Sequence, residues 1–119
     1  MEGFNVKILI VDDDMNILRL YKYELMEEGY EVLTAETGKE AMRLFDEHEP
    51  DLVSLDILIP DIDGIQLLKK MKEKRPRMPV IMTTAYDYKD DFSVWASDSY
   101  VIKSSDTTEL KKTIKALTQ

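Results

Sequence analysis

The sequence predicts an α/β fold: a doubly wound, five-stranded parallel sheet in the order 2-1-3-4-5. Two observations predict it. Short, nearly apolar runs alternate five times with segments whose apolar residues recur at helical spacing. Carboxylates, threonines and a lysine then stand at the C-terminal ends of four of those runs.

Val6 to Val11 reads as a strand buried on both faces. Asp12, Asp13 and Asp14 follow, with Asp14 in the position of a helix cap. Ile17, Leu18, Tyr21 and Leu25 mark the apolar stripe of a first helix that stops at Gly29. Tyr30 to Ala35 is a second strand. Thr37-Gly38-Lys39-Glu40 is a capping box, opening a helix through Ala41, Leu44 and Phe45 that stops before Pro50. His48 closes that helix, where its charge suits the dipole. Asp51 to Asp56 is the third strand.

Asp63-Gly64-Ile65-Gln66 opens a helix carrying Leu67, Leu68 and Met71, and Pro76 and Pro79 bracket its exit. Val80 to Thr84 is the fourth strand. Asp87 to Ser97 is a weaker helix pattern, with Phe92, Val94 and Trp95 for packing. Tyr100 to Lys103 is a short fifth strand, and Asp106-Thr107-Thr108-Glu109 caps a last helix with Leu110, Ile114 and Leu117. Met15, Met26, Met42, Met71 and Met82 are expected as core or near-core filler.

A chain of 119 residues suits one domain, expected to span 1–119. Hydrophobic residues at 44% give it enough apolar material for one core. No apolar run approaches a membrane span, no secretory signal is visible, and the absence of cysteine excludes disulfides and thiolate metal sites. A cytoplasmic location is the default expectation. The net charge of −8 disfavours direct nucleic-acid binding, which wants a basic patch. The basic residues Lys69, Lys70, Lys72, Lys74, Arg75 and Arg77 read as the solvated face and end of one helix.

In open α/β sheets, sites form outside the carboxyl ends of the strands, where the strand order reverses. Here that point lies between the first and third strands. Asp12, Asp13 and Asp14 end the first, Asp56 the third, Thr83 and Thr84 the fourth, and Lys103 the fifth. Carboxylates crowded together repel, and a divalent cation removes that penalty. Oxygen donors without His or Cys suit a hard ion, Mg²⁺ above all, with Mn²⁺ possible. Charge on a transferring phosphoryl group spreads over three oxygens, which a cation, an ammonium and a hydroxyl can share. A carboxylate can be the nucleophile, forming an aspartyl phosphate. Asp56, alone at the end of the central strand, is the favoured one; the adjacent Asp12 and Asp13 are better placed as a metal-binding pair.

These residues resemble the receiver domains of two-component response regulators over essentially the whole length. The matching pieces are Ile8 to Asp14, Asp51-Leu52-Val53 with Leu55-Asp56, Ile59-Pro60 with Asp63-Gly64, Pro79 to Met82 with Thr84-Ala85, and Tyr100 to Lys103. The resemblance implies Asp56 as the phosphorylation site and Asp12, Asp13, Asp56 and the Leu58 backbone carbonyl as metal ligands. It implies Thr84 rather than Thr83 as the switch hydroxyl, Lys103 as the phosphate-binding lysine, and Tyr100 as the aromatic that reports activation. A histidine kinase or histidine phosphotransfer protein is the implied donor, facing a patch around Asn16, Ile17 and Ser104.

Family members usually carry a proline, with a cis bond, where this chain has Ser104; a cis bond without proline costs ~3 kcal/mol, so a trans Lys103–Ser104 bond is expected. The Thr84–Lys103 segment is shorter than in the family, the shortfall falling in its helix. Positions two beyond Asp56 and Thr84, which help admit the hydrolytic water in the family, are Leu58 and Tyr86; one is apolar and the other bulky, so slow self-dephosphorylation is expected. With no output domain in view, the expected readout is contact with an unidentified downstream protein, in a stand-alone regulator or a phosphorelay carrier. Neither turnover enzyme activity nor a membrane partner is expected. The alternatives are a degenerate receiver that binds partners without phosphorylation, which the complete acidic set disfavours, and a small phosphatase, which lacks a visible general acid.

Overall fold

In the computed structural model, which describes residues 5–85 and 98–118, five parallel strands form one sheet. They are Lys7–Val11 (β1), Glu31–Ala35 (β2), Leu52–Asp56 (β3), Val80–Thr84 (β4) and Ser99–Ile102 (β5), in the order β2-β1-β3-β4-β5. The described helices are Met15–Glu27 (α1), Gly38–His48 (α2), Gly64–Lys74 (α3) and Thr108–Thr118 (α4). The fold class and strand order are those the alternation predicts. Tyr86 and the helix expected over Asp87–Ser97, with Phe92, Val94 and Trp95, lie outside the described residues.

The period of two along each strand sorts side chains into two cores. Leu9, Val11, Val53, Leu55, Val80 and Met82 face one way, onto Leu44, Phe45, Leu67, Leu68 and Met71 of α2 and α3. Ile8, Ile10, Leu52, Ile81 and Val101 face the other way, onto Leu18, Tyr21 and Leu25 of α1 and Leu110 and Ile114 of α4. Helices on both faces explain why the central strands carry almost no polar residue until their last position.

The helix ends follow their local chemistry. Asp14 caps α1, accepting from the Asn16 N–H at 2.9 Å. At the other end, the Gly29 N–H donates to the Met26 carbonyl and the Tyr30 N–H to the Leu25 carbonyl. This is a Schellman exit, and Gly29 at φ 95° supplies its left-handed residue. The capping box of α2 is only half formed. Thr37 accepts from the Glu40 N–H at 3.1 Å, but the Glu40 carboxylate turns to Arg43 instead of reaching back. The Gly38 and Lys39 N–H groups are met instead by Asp61, at 2.7 and 3.0 Å, from the loop after β3. Asp63 caps α3 through the Ile65 N–H, and Asp106 accepts from the Thr108 N–H at the start of α4.

Two sequence expectations need correction. Met71 and Met82 are core residues and Met42 packs against the core, but Met15 and Met26 are 42% and 54% exposed. The buried stripe of α1 is set by Leu18, Tyr21 and Leu25; Met26 lies one residue round the helix from it, and Met15 starts the helix at its outer end. The basic cluster of α3 is also not all solvated. The Lys72 ammonium donates to Asp98 and to the Met78 carbonyl. Arg75 stacks over Phe45 and donates to the Pro50 carbonyl.

Gly64 shows how tightly α3 is seated. A Cβ there would lie 2.5 Å from the Asp56 carbonyl oxygen and 2.6 Å from Ile57 Cα. Both are backbone atoms, so neither can move aside. Gly64→Ala is expected to destabilise the protein by about 2 kcal/mol or more and to displace the end of β3. Chemical denaturation and amide shifts at Asp56 check this; a wild-type midpoint would contradict it.

Candidate functional site

The order of the sheet puts β1 and β3 side by side at its centre, with β4 and β5 following. The backbone leaves the sheet at the end of each strand, and the carboxylates and the lysine of the site stand at or just beyond those ends. Asp12 follows β1 directly, with its N–H on the Ala35 carbonyl at 3.0 Å. Asp56 is the last residue of β3, and Thr84 the last of β4. Lys103 follows β5, and its N–H donates to the Thr84 carbonyl at 2.6 Å.

These positions converge. Carboxylate oxygens of Asp12, Asp13 and Asp56 all lie within 4.8 Å of one another. Asp12 and Asp56 are 1% and 3% exposed, whereas Asp13 is exposed. The Lys103 ammonium sits 2.8 Å from Asp12 Oδ2 and 3.0 Å from Asp56 Oδ2. Asp12 Oδ1 accepts from the Asp14 N–H at 2.9 Å, and Asp56 Oδ1 from the Leu58 N–H at 3.3 Å. No peptide bond among the described residues is cis, so Lys103–Ser104 is trans. The trans bond leaves the lysine able to reach both carboxylates.

Burial sets the electrostatics. It pushes the Asp56 carboxyl above the ordinary aspartate range, and the charge of Asp12 adds to this, while the hydrogen bond from Lys103 opposes it. Burial pulls the Lys103 ammonium down, but hydrogen bonds and charge from Asp12 and Asp56 outweigh it, so its pKa is raised. The donor set fits a hard divalent cation: three carboxylates, two of them buried, with no nitrogen or sulfur donor among them.

The other expected site residues are placed as follows. Thr83 and Thr84 are both buried at the end of β4. Tyr100 is half-buried on β5, packed against the core that faces α2 and α3. Leu58 has its side chain 53% exposed in the loop after β3. Asn16 and Ser104 are exposed and Ile17 is half-buried. The loop after β5 touches α1, because the Tyr21 hydroxyl hydrogen-bonds Ser104, so this patch occupies neighbouring elements. Tyr86 lies outside the described residues.

Tyr21 and Asp61 were not anticipated. Tyr21 falls on the apolar stripe of its helix and reads as core; only its hydroxyl hinted at a polar partner. Asp61 lies in a loop with no periodic signal, and its contact with α2 spans 23 positions.

This fold and strand-end cluster define a receiver domain. Residues 8–115 match the model of the response regulator receiver domain family, and the chain belongs to that family. It is a receiver domain of a two-component response regulator. Among curated relatives, it is 35% identical over 116 residues to the alkaline phosphatase synthesis transcriptional regulatory protein PhoP of Bacillus subtilis (strain 168). That match covers 95% of this chain and 48% of the relative, so the chain spans about half of that protein's length. Among solved structures, it is similar to the response regulator TrrA of Thermotoga maritima in complex with Mg(2+)-BeF. Sequence identity is 46% and the TM-score 0.89, covering 93% of this chain and 97% of that one. TrrA in complex with the histidine kinase ThkA matches at the same identity and TM-score, over 95% and 98%. No helix of the described residues is long and apolar enough to cross a membrane.

The Asp56 titration follows from the geometry. In protein stripped of divalent cations, carbon NMR is expected to find the Asp56 carboxyl titrating above an ordinary aspartate. Lys103→Met removes the opposing ammonium and should move it higher still. The folded state therefore holds this proton more tightly than the unfolded chain does. Its contribution to stability is complete below the ordinary aspartate value and is lost as pH rises through the higher folded value. An Asp56 midpoint that falls in Lys103→Met would contradict the charge arrangement.

Proposed function

We propose that this receiver domain is a phosphoacceptor, with Asp56 taking a phosphoryl group from a histidine kinase or a histidine phosphotransfer protein. The observation that carries the reading is the Lys103 ammonium held against both Asp12 and Asp56. It sits beside three mutually close carboxylates at the sheet's switch point. The similarity to TrrA, solved with Mg(2+)-BeF and with a histidine kinase, supports it.

Asp12, Asp13, Asp56 and the Leu58 carbonyl would hold Mg²⁺, or Mn²⁺ in its place. When bound, the cation neutralises the carboxylates and the charge of an incoming phosphoryl group. The chain's own residues do the rest. Asp56 lends a carboxylate oxygen to phosphorus as the phosphorus–nitrogen bond of the donor phosphohistidine breaks, and the bonding pair leaves with the imidazole. Lys103, anchored beside Asp56, offers its ammonium to a phosphoryl oxygen. Thr84, at the end of β4, offers a hydroxyl to another.

A phosphoryl group on Asp56 would draw Thr84 and Lys103 toward it and bias a pre-existing equilibrium. Tyr100, two strand positions from the end of β5, would report the change. Asn16, Ile17 and Ser104 would face the donor. The output is contact with a downstream protein, without direct binding to nucleic acid or membrane, in the cytoplasm. The domain catalyses its own phosphorylation and is not a turnover enzyme.

Incubation with a small-molecule phosphodonor and Mg²⁺, read by intact mass, should add one phosphoryl group. Asp56→Ala or chelation of the cation should abolish it. No gain in the wild type would instead favour a receiver that binds partners without phosphorylation. The exposed apolar Leu58 offers no polar group to orient water, and Tyr86 at the second position is bulky. The acyl phosphate on purified protein with Mg²⁺ should therefore persist for minutes or longer; decay within seconds would refute this.

A further inference from the structure

With Asp56 as the phosphoacceptor proposed above, we infer that Tyr21 is a positioning residue for Lys103, acting through the backbone of Ser104. The Tyr21 hydroxyl donates to the Ser104 carbonyl at 3.1 Å and accepts from the Ser104 N–H at 3.3 Å. One side chain thus satisfies both backbone polar groups of the residue that follows the lysine. The second of these bonds requires an N–H, which a proline at this position would lack.

The lysine is held from two sides. Its own N–H is fixed to the Thr84 carbonyl at the end of β4, and the next residue is fixed to α1. The Ser104 hydroxyl is also engaged, accepting from the Asp106 N–H at 3.1 Å. One turn along α1, Glu24 accepts from Thr107 at 3.0 Å and from Lys111 at 2.6 Å. Tyr21 and Glu24 therefore tie the loop and the start of α4 to one face of α1. Tyr21 is buried to 3% exposure, and burial raises its pKa, so the hydroxyl keeps the proton it donates. A buried hydroxyl also resists replacement by water, which makes this tie rigid where the exposed Ser104 and Ser105 alone would leave the loop loose.

The consequence is selective. Mg²⁺ binding depends on carboxylates that Tyr21 does not touch, whereas phosphoryl recognition depends on where the Lys103 ammonium stands. Tyr21→Phe removes one oxygen and keeps the ring in the core. Calorimetry is expected to give a Mg²⁺ affinity within about twofold of wild type, which also shows that the acidic site is folded. Affinity for beryllofluoride in saturating Mg²⁺ should fall about tenfold, the loss expected for a buried hydrogen bond.

In a Lys103→Met background, adding Tyr21→Phe should change beryllofluoride affinity by less than about twofold, because the residue acted through the lysine. Unchanged beryllofluoride affinity in the single variant overturns the inference. So does an undiminished effect in the Lys103→Met background, or a parallel fall in Mg²⁺ affinity, either of which marks a general structural role. Wild-type protein that binds Mg²⁺ but no beryllofluoride would sink the phosphoacceptor reading itself, and this inference with it.

Discussion

The structure turns on one ammonium placed between two buried carboxylates. Asp12 directly follows β1 and Asp56 ends β3, neighbouring strands at the centre of the sheet whose ladder, closing at Val11 and Leu55, keeps the two backbones together. Two such charges out of water repel and are poorly solvated. Lys103 offsets both problems at once, at 2.8 and 3.0 Å. Its position is in turn a demand on the rest of the fold. The fifth strand must lie beyond the fourth, its loop must return over the sheet's edge, and something must hold that loop.

The supports of this site come from distant parts of the chain. Gly64 lets α3 press against the backbone of Asp56 and Ile57, so the central strand ends against a rigid element. Asp61, in the same loop, satisfies the first N–H groups of α2 and fastens that loop to the neighbouring helix. Its carboxyl is held below the ordinary range by those backbone hydrogen bonds. Asp98 performs a comparable task at the opposite end of the sheet. It accepts from the Val80 N–H while its own N–H donates to the Val80 carbonyl, joining the starts of β4 and β5. Loop carboxylates bonded to backbone amides thus locate the strands whose ends carry the chemistry.

Much of this was legible beforehand, for physical reasons that differ by residue. The strands were legible because burial on both faces demands unbroken apolar runs, and the strand order because five right-handed βα units leave few arrangements. Asp14, Thr37 and Asp63 were legible as caps because capping is a local interaction within a few residues. Boundaries shifted by a residue at β1, β2, β3 and β5, where the apolar run and the hydrogen-bonded ladder do not coincide. Glu40 was misread as a reciprocal partner of Thr37 because Arg43, one turn away, competes for the same carboxylate. Met15 and Met26 were misread because hydrophobicity alone does not say how wide the buried stripe of α1 is.

By itself, the sequence determined which residues carry charge at the strand ends and that those ends share one edge of a parallel sheet. Alternation and chain direction are local properties, and they force that outcome whatever the details of packing. Only the tertiary structure decided the distances: that Lys103 reaches both carboxylates through a trans bond, that Asp13 stays exposed while Asp12 is buried, and that Tyr21 and Asp61 hold loops from other elements. Those contacts join residues tens of positions apart. They depend on how helices seat against the sheet, which no local pattern encodes.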